Sequence, residues 1–210
     1  QYVVNRGIPS DQHYRLYYCP AYMAWVNESV PNKFSAESVA NKDEPRLVIP
    51  FVDRAGHVFA FQGRSFNPNS KIKYITIVLD EDAPRVFGLD TFEPSKHAIV
   101  VEGPLDAMFL PNTLALAGGD NDDIYKIVRK ENTTFLFDNE PRHKDTLRRM
   151  EKAITLGYAV SFLPSTIVSK DVNEIIKNKE ASAEELTGII FRNSYSGNTA
   201  KIKLAQWRKI

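Results

Sequence analysis

The stretch from residue 97 to residue 164, where short apolar runs alternate with helix-like segments, constrains this chain more than any other feature. HAIVVE, NTLALAG, TTFLFD and YAVSFLP read as strands, and GPLDAMFL, DDIYKIVRK and RHKDTLRRMEKAITLG between them read as helices. A strand that is apolar on both faces is covered on both, and its parallel neighbour needs a crossover helix. The pattern therefore predicts an α/β unit, a mostly parallel four-stranded sheet with flanking helices. Ligands of such sheets bind beyond the carboxyl ends of the strands. That rule directs attention to Glu102, Asp138 and the loop after Pro164.

Upstream the pattern is different. RLVIPFVD and HVFAFQGRSF, separated by Arg54-Ala55-Gly56, predict a β-hairpin over residues 46–66, and KIKYITIVL predicts another strand. The turn-rich GLDTFEPSK, near residues 88–96, marks the junction with the parallel sheet. Before Arg46, Tyr14, Tyr17, Tyr18, Tyr22 and Trp25 stand among polar residues without a period, so only short elements are expected. After Lys170, KDVNEIIKN and EELTGIIFR are amphipathic; the basic end, with Lys201, Lys203, Arg208 and Lys209 around Trp207, is a candidate surface for nucleic acid or a partner.

Composition excludes more than it selects. With 43% hydrophobic residues among 210, the chain can bury an ordinary core. Its 27 basic and 26 acidic residues leave a net charge of +1, so any nucleic-acid role must rest on local segregation of charge. A single cysteine, Cys19, rules out an internal disulfide and a thiolate zinc cluster, and fits a half-buried residue in a reducing cytoplasm. No apolar run approaches the ~18 residues a membrane span needs.

The acids carry the chemistry. Glu102 ends HAIVVE, Asp138 ends TTFLFD and opens Asp138-Asn139-Glu140, and Lys170-Asp171-Val172-Asn173-Glu174 follows the fourth strand. Acids at helix starts are ordinary caps, but acids at successive strand ends converge on one edge of the sheet. Converging carboxylates repel unless a cation sits among them, and Mg²⁺ or Mn²⁺, which prefer oxygen ligands, suit them. Two such ions can activate a 3′-hydroxyl and stabilise a departing pyrophosphate.

VVEGPLDAMFL resembles the first motif of the Toprim fold, FLFDNE the second and KDVNEII the third. RLVIPFVDRAGHVFAFQGRSF, KIKYIT and RVFGLD resemble the amino-terminal half of bacterial and phage primase polymerase domains, so the likeness spans about residues 46–178. It implies a smaller basic subdomain over residues 1–95, a Toprim metal-binding catalytic domain over 96–178, and a helical segment over 179–210 that completes the core. It implies Glu102, Asp138 and Glu140 as catalytic metal ligands, with Asp106 and Asp171 as further ones. Glu140 stands where the family has Asp, and Asn173 where a second Asp is common, so the number of metals stays open.

The resemblance further implies that Arg64 and Lys73 contact nucleotide phosphates or template; Arg85, in a loop that departs from the family pattern, and Arg46 are candidates for the same role by their place in the β-rich subdomain. A site already acidic needs such cations, because triphosphate and template bring in more negative charge. The implied activity is synthesis of short RNA primers from ribonucleoside triphosphates on single-stranded DNA, beside a replicative helicase and, for a phage protein, in the host cytoplasm. A metal-dependent Toprim nuclease and a noncatalytic DNA-binding module are the alternatives. Gly118-Gly119-Asp120 is a candidate phosphate cradle, and Arg142, His143 and Lys144 are candidate nucleotide contacts. Primases of this kind normally carry an amino-terminal zinc ribbon, and because the sequence holds no such cysteine cluster, one is expected upstream of Gln1 or its role on a separate factor.

Overall fold

The computed structural model describes residues 1–116 and 122–208, so Gly118-Gly119-Asp120 and Lys209 lie outside the described residues. The amino-terminal region gives helix α1 (Tyr2–Asn5), a 3-10 turn (Ser10–Arg15), strand β1 (Tyr17–Cys19), and helices α2 (Tyr22–Ser29) and α3 (Ala36–Lys42). Strands β2 (Arg46–Val52), β3 (Val58–Ser65) and β4 (Tyr74–Val78) follow, and the first sheet is antiparallel in the order β1-β2-β3-β4. The expected hairpin is β2–β3. Its turn is set by Asp53, whose Oδ1 accepts the Ala55 and His57 N–H groups at 2.8 and 2.9 Å, and by Gly56 at φ +88.

The apolar run in β2 has a physical cause: this strand is buried on both faces. Leu47, Ile49 and Phe51 enter the main core, shared with the second sheet, whereas Val48 turns to a smaller cluster with Phe61, Ile77, Tyr22 and Val26 beneath α2. Cys19 is buried in that smaller cluster and unpaired.

The second half holds β5 (Ala98–Val101), α4 (Pro104–Ala107), β6 (Thr113–Ala115), α5 (Ile124–Ile127), β7 (Thr133–Phe135), α6 (Lys144–Thr155) and β8 (Ala159–Ser161), then α7 (Val172–Lys177), α8 (Ala183–Arg192), β9 (Ser194–Tyr195) and α9 (Gly197–Trp207). The sheet order is β6-β5-β7-β8-β9, with the first four strands parallel. The sheet thus has five strands where the sequence predicts four. The addition, β9, pairs antiparallel with β8 through two residues, too few to show any period. Because β6 and β7 flank β5 on opposite sides, the strand order reverses between β5 and β7, and their carboxyl ends open a crevice there. Among the described residues no helix is long and apolar enough to cross a membrane.

Gly63 in β3 is a packing requirement. A Cβ there would stand 2.3 Å from two ring carbons of Tyr22, which is fully buried and donates its hydroxyl to the Ile75 carbonyl at 3.1 Å. Gly63→Ala is expected to destabilise the protein by about 1–3 kcal/mol in urea unfolding. A loss too small to measure would show that Tyr22 is free to shift.

Candidate functional site

The crevice at the reversal is walled by Glu102, Asp106, Asp138, Lys170 and Asp171, over a floor that includes Val101, Phe137 and Ile175. Glu102 directly follows β5, Asp138 lies just beyond β7, and Asp171 is the N-cap of α7. Asp106 comes from α4, and Gly103 lets its carboxylate fold back, since a Cβ on Gly103 would lie 2.7 Å from Asp106 Oδ2. Four of the five sequence-predicted acids therefore share one crevice. The fifth, Glu140, is tied to it through Lys170, whose Nζ lies 3.0 Å from Glu140 Oε2 and 3.4 Å from Asp138 Oδ2.

Each acid has a compensating partner. Glu102 accepts the Asp138 N–H on Oε1 at 3.3 Å and the Arg149 guanidinium on Oε2 at 2.8 Å. Asp106 Oδ1 accepts the Asn173 N–H at 2.9 Å. Asp171 Oδ1 accepts the Glu174 N–H at 2.8 Å, so it caps α7 while its charge still reaches Asp106 and Asp138. Burial, then the Asp171 charge, pushes the Asp106 carboxyl up to about 7. Burial, then the Glu102 charge, pushes Asp138 up to about 7 as well.

The donor set, carboxylate oxygens only, fits a hard divalent cation. Among the described residues, however, no three His, Cys, Asp or Glu side chains are drawn together as a finished metal cage. Lys170, Arg149 and backbone N–H groups hold the acids instead.

The predicted cations divide. Arg64 is half-buried and stacks on the Tyr74 ring at 4.7 Å; its Nε donates to the Tyr2 hydroxyl at 2.6 Å, and the Asp106 charge acts on it. Lys73 is exposed at the foot of β4, just before Tyr74, which pairs with Arg64 across the sheet. Arg46 is a correction: it is buried at 2% exposure, and its guanidinium donates to the Gly63, Lys73 and Ile72 carbonyls and pairs with Glu44, so it ties strands rather than meeting nucleic acid. Arg85 is exposed and paired with Glu81 at 2.6 Å. Of the candidates after Glu140, His143 caps α6 by accepting the Thr146 N–H on Nδ1 at 3.4 Å, and Lys144 is exposed.

Sequence reasoning missed three groups. Arg149 lies within α6, and nothing in the sequence marks it off from the other basic residues of that helix. Arg6 donates to the Tyr2 hydroxyl at 2.8 Å and to Asn173 Oδ1, and Asn173 Nδ2 returns a bond to the Arg6 carbonyl at 2.6 Å. Asn139 joins the two acid-bearing loops: its N–H donates to the Lys170 carbonyl at 2.6 Å and its Nδ2 to the Ile167 and Ser169 carbonyls. Only Asn139 left a trace in the sequence, as the residue between two strand-end acids.

An antiparallel sheet packed on a Toprim sheet, with acids at the switch point, is the two-part fold of primase-type catalytic cores. No family model matches the sequence. The chain is 34% identical over 211 residues to the DNA primase of Enterobacteria phage T4, covering 100% of this chain and 60% of that protein, so it spans about three fifths of that relative. Among solved structures it is similar to the Aquifex aeolicus primase, zinc-binding and RNA polymerase domains, with TM-score 0.65, 25% identity, and coverage of 92% of this chain and 55% of that one. The RNA polymerase domain of Mycobacterium tuberculosis primase DnaG gives TM-score 0.64 at 16% identity, covering 91% of this chain and 74% of that one. A DnaG primase catalytic domain bound to single-stranded DNA gives 0.63 at 18%, covering 91% and 72%. The chain is thus related along its whole length to the phage T4 primase, and it carries the fold of bacterial primase catalytic cores.

The raised carboxyls make a stability prediction. A carboxyl whose native pKa exceeds its unfolded value binds its proton more tightly when folded, so its contribution is fully present below the unfolded value and lost as pH rises through about 7. With divalent ions chelated, Asp138→Asn, which keeps the shape and removes the charge, is expected to raise the melting temperature at pH 8 by about 2–4 °C and to raise it by less at pH 5, where the folded-state carboxyl is still protonated. A lower melting temperature at pH 8 would show that the Lys170 pair outweighs the burial of charge.

Proposed function

We propose that this chain is the catalytic core of a DNA primase, an RNA polymerase that makes short primers on single-stranded DNA by metal-dependent nucleotidyl transfer. The observation that carries the reading is the convergence of Glu102, Asp106, Asp138 and Asp171 at the switch point, with Arg64 and Arg6 on its flank. The likeness of this chain to about three fifths of the phage T4 primase supports it. Residues 1–95 would supply the phosphate and template side, residues 96–178 the acids, and residues 179–210 the closing elements of the sheet.

Glu102 and Asp138, with Glu140, Asp106 and Asp171 around them, would hold Mg²⁺ or Mn²⁺. Such ions, when bound, activate the attacking 3′-hydroxyl and neutralise charge on the leaving pyrophosphate. The chain's own groups orient and neutralise. Arg149 fixes the Glu102 carboxylate, whose other oxygen is held by the Asp138 N–H. Arg64 and Arg6, joined through the Tyr2 hydroxyl, offer charge-assisted donors to triphosphate oxygens, and the exposed Lys73 offers a point charge to template phosphate. The ligands of this reading are ribonucleoside triphosphates, the template strand and the RNA product; a replicative helicase would be the partner, and the host cytoplasm the place of work.

Primer synthesis on single-stranded DNA, with labelled ribonucleotides and Mg²⁺ or Mn²⁺, tests the reading. Glu102→Gln should lower the yield about 100-fold or more without unfolding the protein. Metal-dependent cleavage of DNA with no primer formed would replace this reading by a nuclease.

Lys73→Ala should weaken binding of single-stranded DNA and make its salt dependence shallower, by about one phosphate contact. Lys73 gives a cleaner test than Arg64, because Arg64 also holds Tyr2. An unchanged salt slope would remove Lys73 from the template path.

A further inference from the structure

The cation nearest the paired acids belongs to the chain itself. The single ammonium of Lys170 bridges Asp138 Oδ2 at 3.4 Å and Glu140 Oε2 at 3.0 Å. Its root is fixed. The Lys170 carbonyl accepts the Asn139 N–H at 2.6 Å, and the Lys170 N–H donates to Glu174 Oε2 at 3.2 Å. Its head is not: the side chain is 47% exposed and hangs on a flexible four-carbon stem. Arg149 differs, because its guanidinium, 16% exposed, grips Glu102 and is steadied by Nε on the Asp145 carbonyl at 3.3 Å. One cation of the crevice is thus built in, and the other is free to swing out while its backbone stays in place.

We propose that Lys170 is an internal counter-ion, which neutralises Asp138 and Glu140 before divalent metal arrives and competes with metal for them, so that it sets the concentration at which the centre loads. This inference rests on reading the crevice as a metal centre. A residue that merely braced the loop would act through its main chain, and that part of Lys170 survives any side-chain change. A competing ammonium acts through charge alone: removing it leaves the acids more negative and the metal better bound, while the metal-free protein loses an attraction.

The test is a titration of the chain with Mn²⁺ alone, without nucleotide, read by electron paramagnetic resonance of the free ion. Lys170→Gln should bind Mn²⁺ about fivefold tighter or more, Lys170→Arg should stay near the unsubstituted protein, and Asp138→Asn should bind far more weakly. In thermal melts Lys170→Gln should be less stable than the unsubstituted protein with ions chelated, and should gain more from added Mn²⁺. Lys170→Met takes its place if the Gln variant does not fold. Unchanged or weaker Mn²⁺ binding by Lys170→Gln, with binding still lost in Asp138→Asn, would overturn the counter-ion role and leave the metal centre standing. Mn²⁺ binding that Asp138→Asn leaves intact would overturn the metal centre, and the counter-ion role with it.

Discussion

Like charges gathered at one end of a parallel sheet set the terms for the rest of this molecule. Strand order alone brings Glu102 and Asp138 together, and short helices bring Asp106 and Asp171 to the same crevice. Low exposure then raises the cost of each charge. The surrounding elements answer that cost one acid at a time: α6 carries Arg149 to Glu102, the loop after β8 carries Lys170 to Asp138, and the start of α7 presents the Asn173 N–H to Asp106. The place of these elements around the sheet is therefore electrostatic as much as hydrophobic.

How far the sequence could be read follows from the range of the interactions involved. The parallel strands were legible because burial on both faces writes an unbroken apolar run, and the acids because they stand at the ends of those runs. Strand β9, of two residues, writes nothing, and neither do the short elements before Arg46. Arg46 misled for a related reason. A basic residue at the start of a strand looks like surface charge, and only the folded chain shows that the carbonyls of Gly63, Ile72 and Lys73 close around it. Arg149 and Arg6 were invisible as site residues because their partners, Glu102 and Asn173, lie 47 and 167 positions away.

The two sheets are not separate bodies joined by a linker. Leu47, Ile49 and Phe51 of the first share one core with Ile99, Leu114 and Phe135 of the second, and Phe87 bridges to Ala115 at the edge of the parallel sheet. Arg64 is carried by β3 toward Asp106 on that shared foundation, so the spacing between cations and acids is fixed by packing rather than by a flexible joint.

The bonds between Arg6 and Asn173 join places 167 positions apart. As the chain leaves the ribosome, Arg6 precedes Asn173 by 167 positions, so it can hold only Tyr2 until the fourth parallel strand and the turn beyond it have emerged. The hairpin can form as soon as it is clear of the tunnel, because its contacts are local, but the long loop between Arg6 and Asn173 closes late. The crevice can therefore assemble only once its last acid, Asp171, has been made, two positions before Asn173.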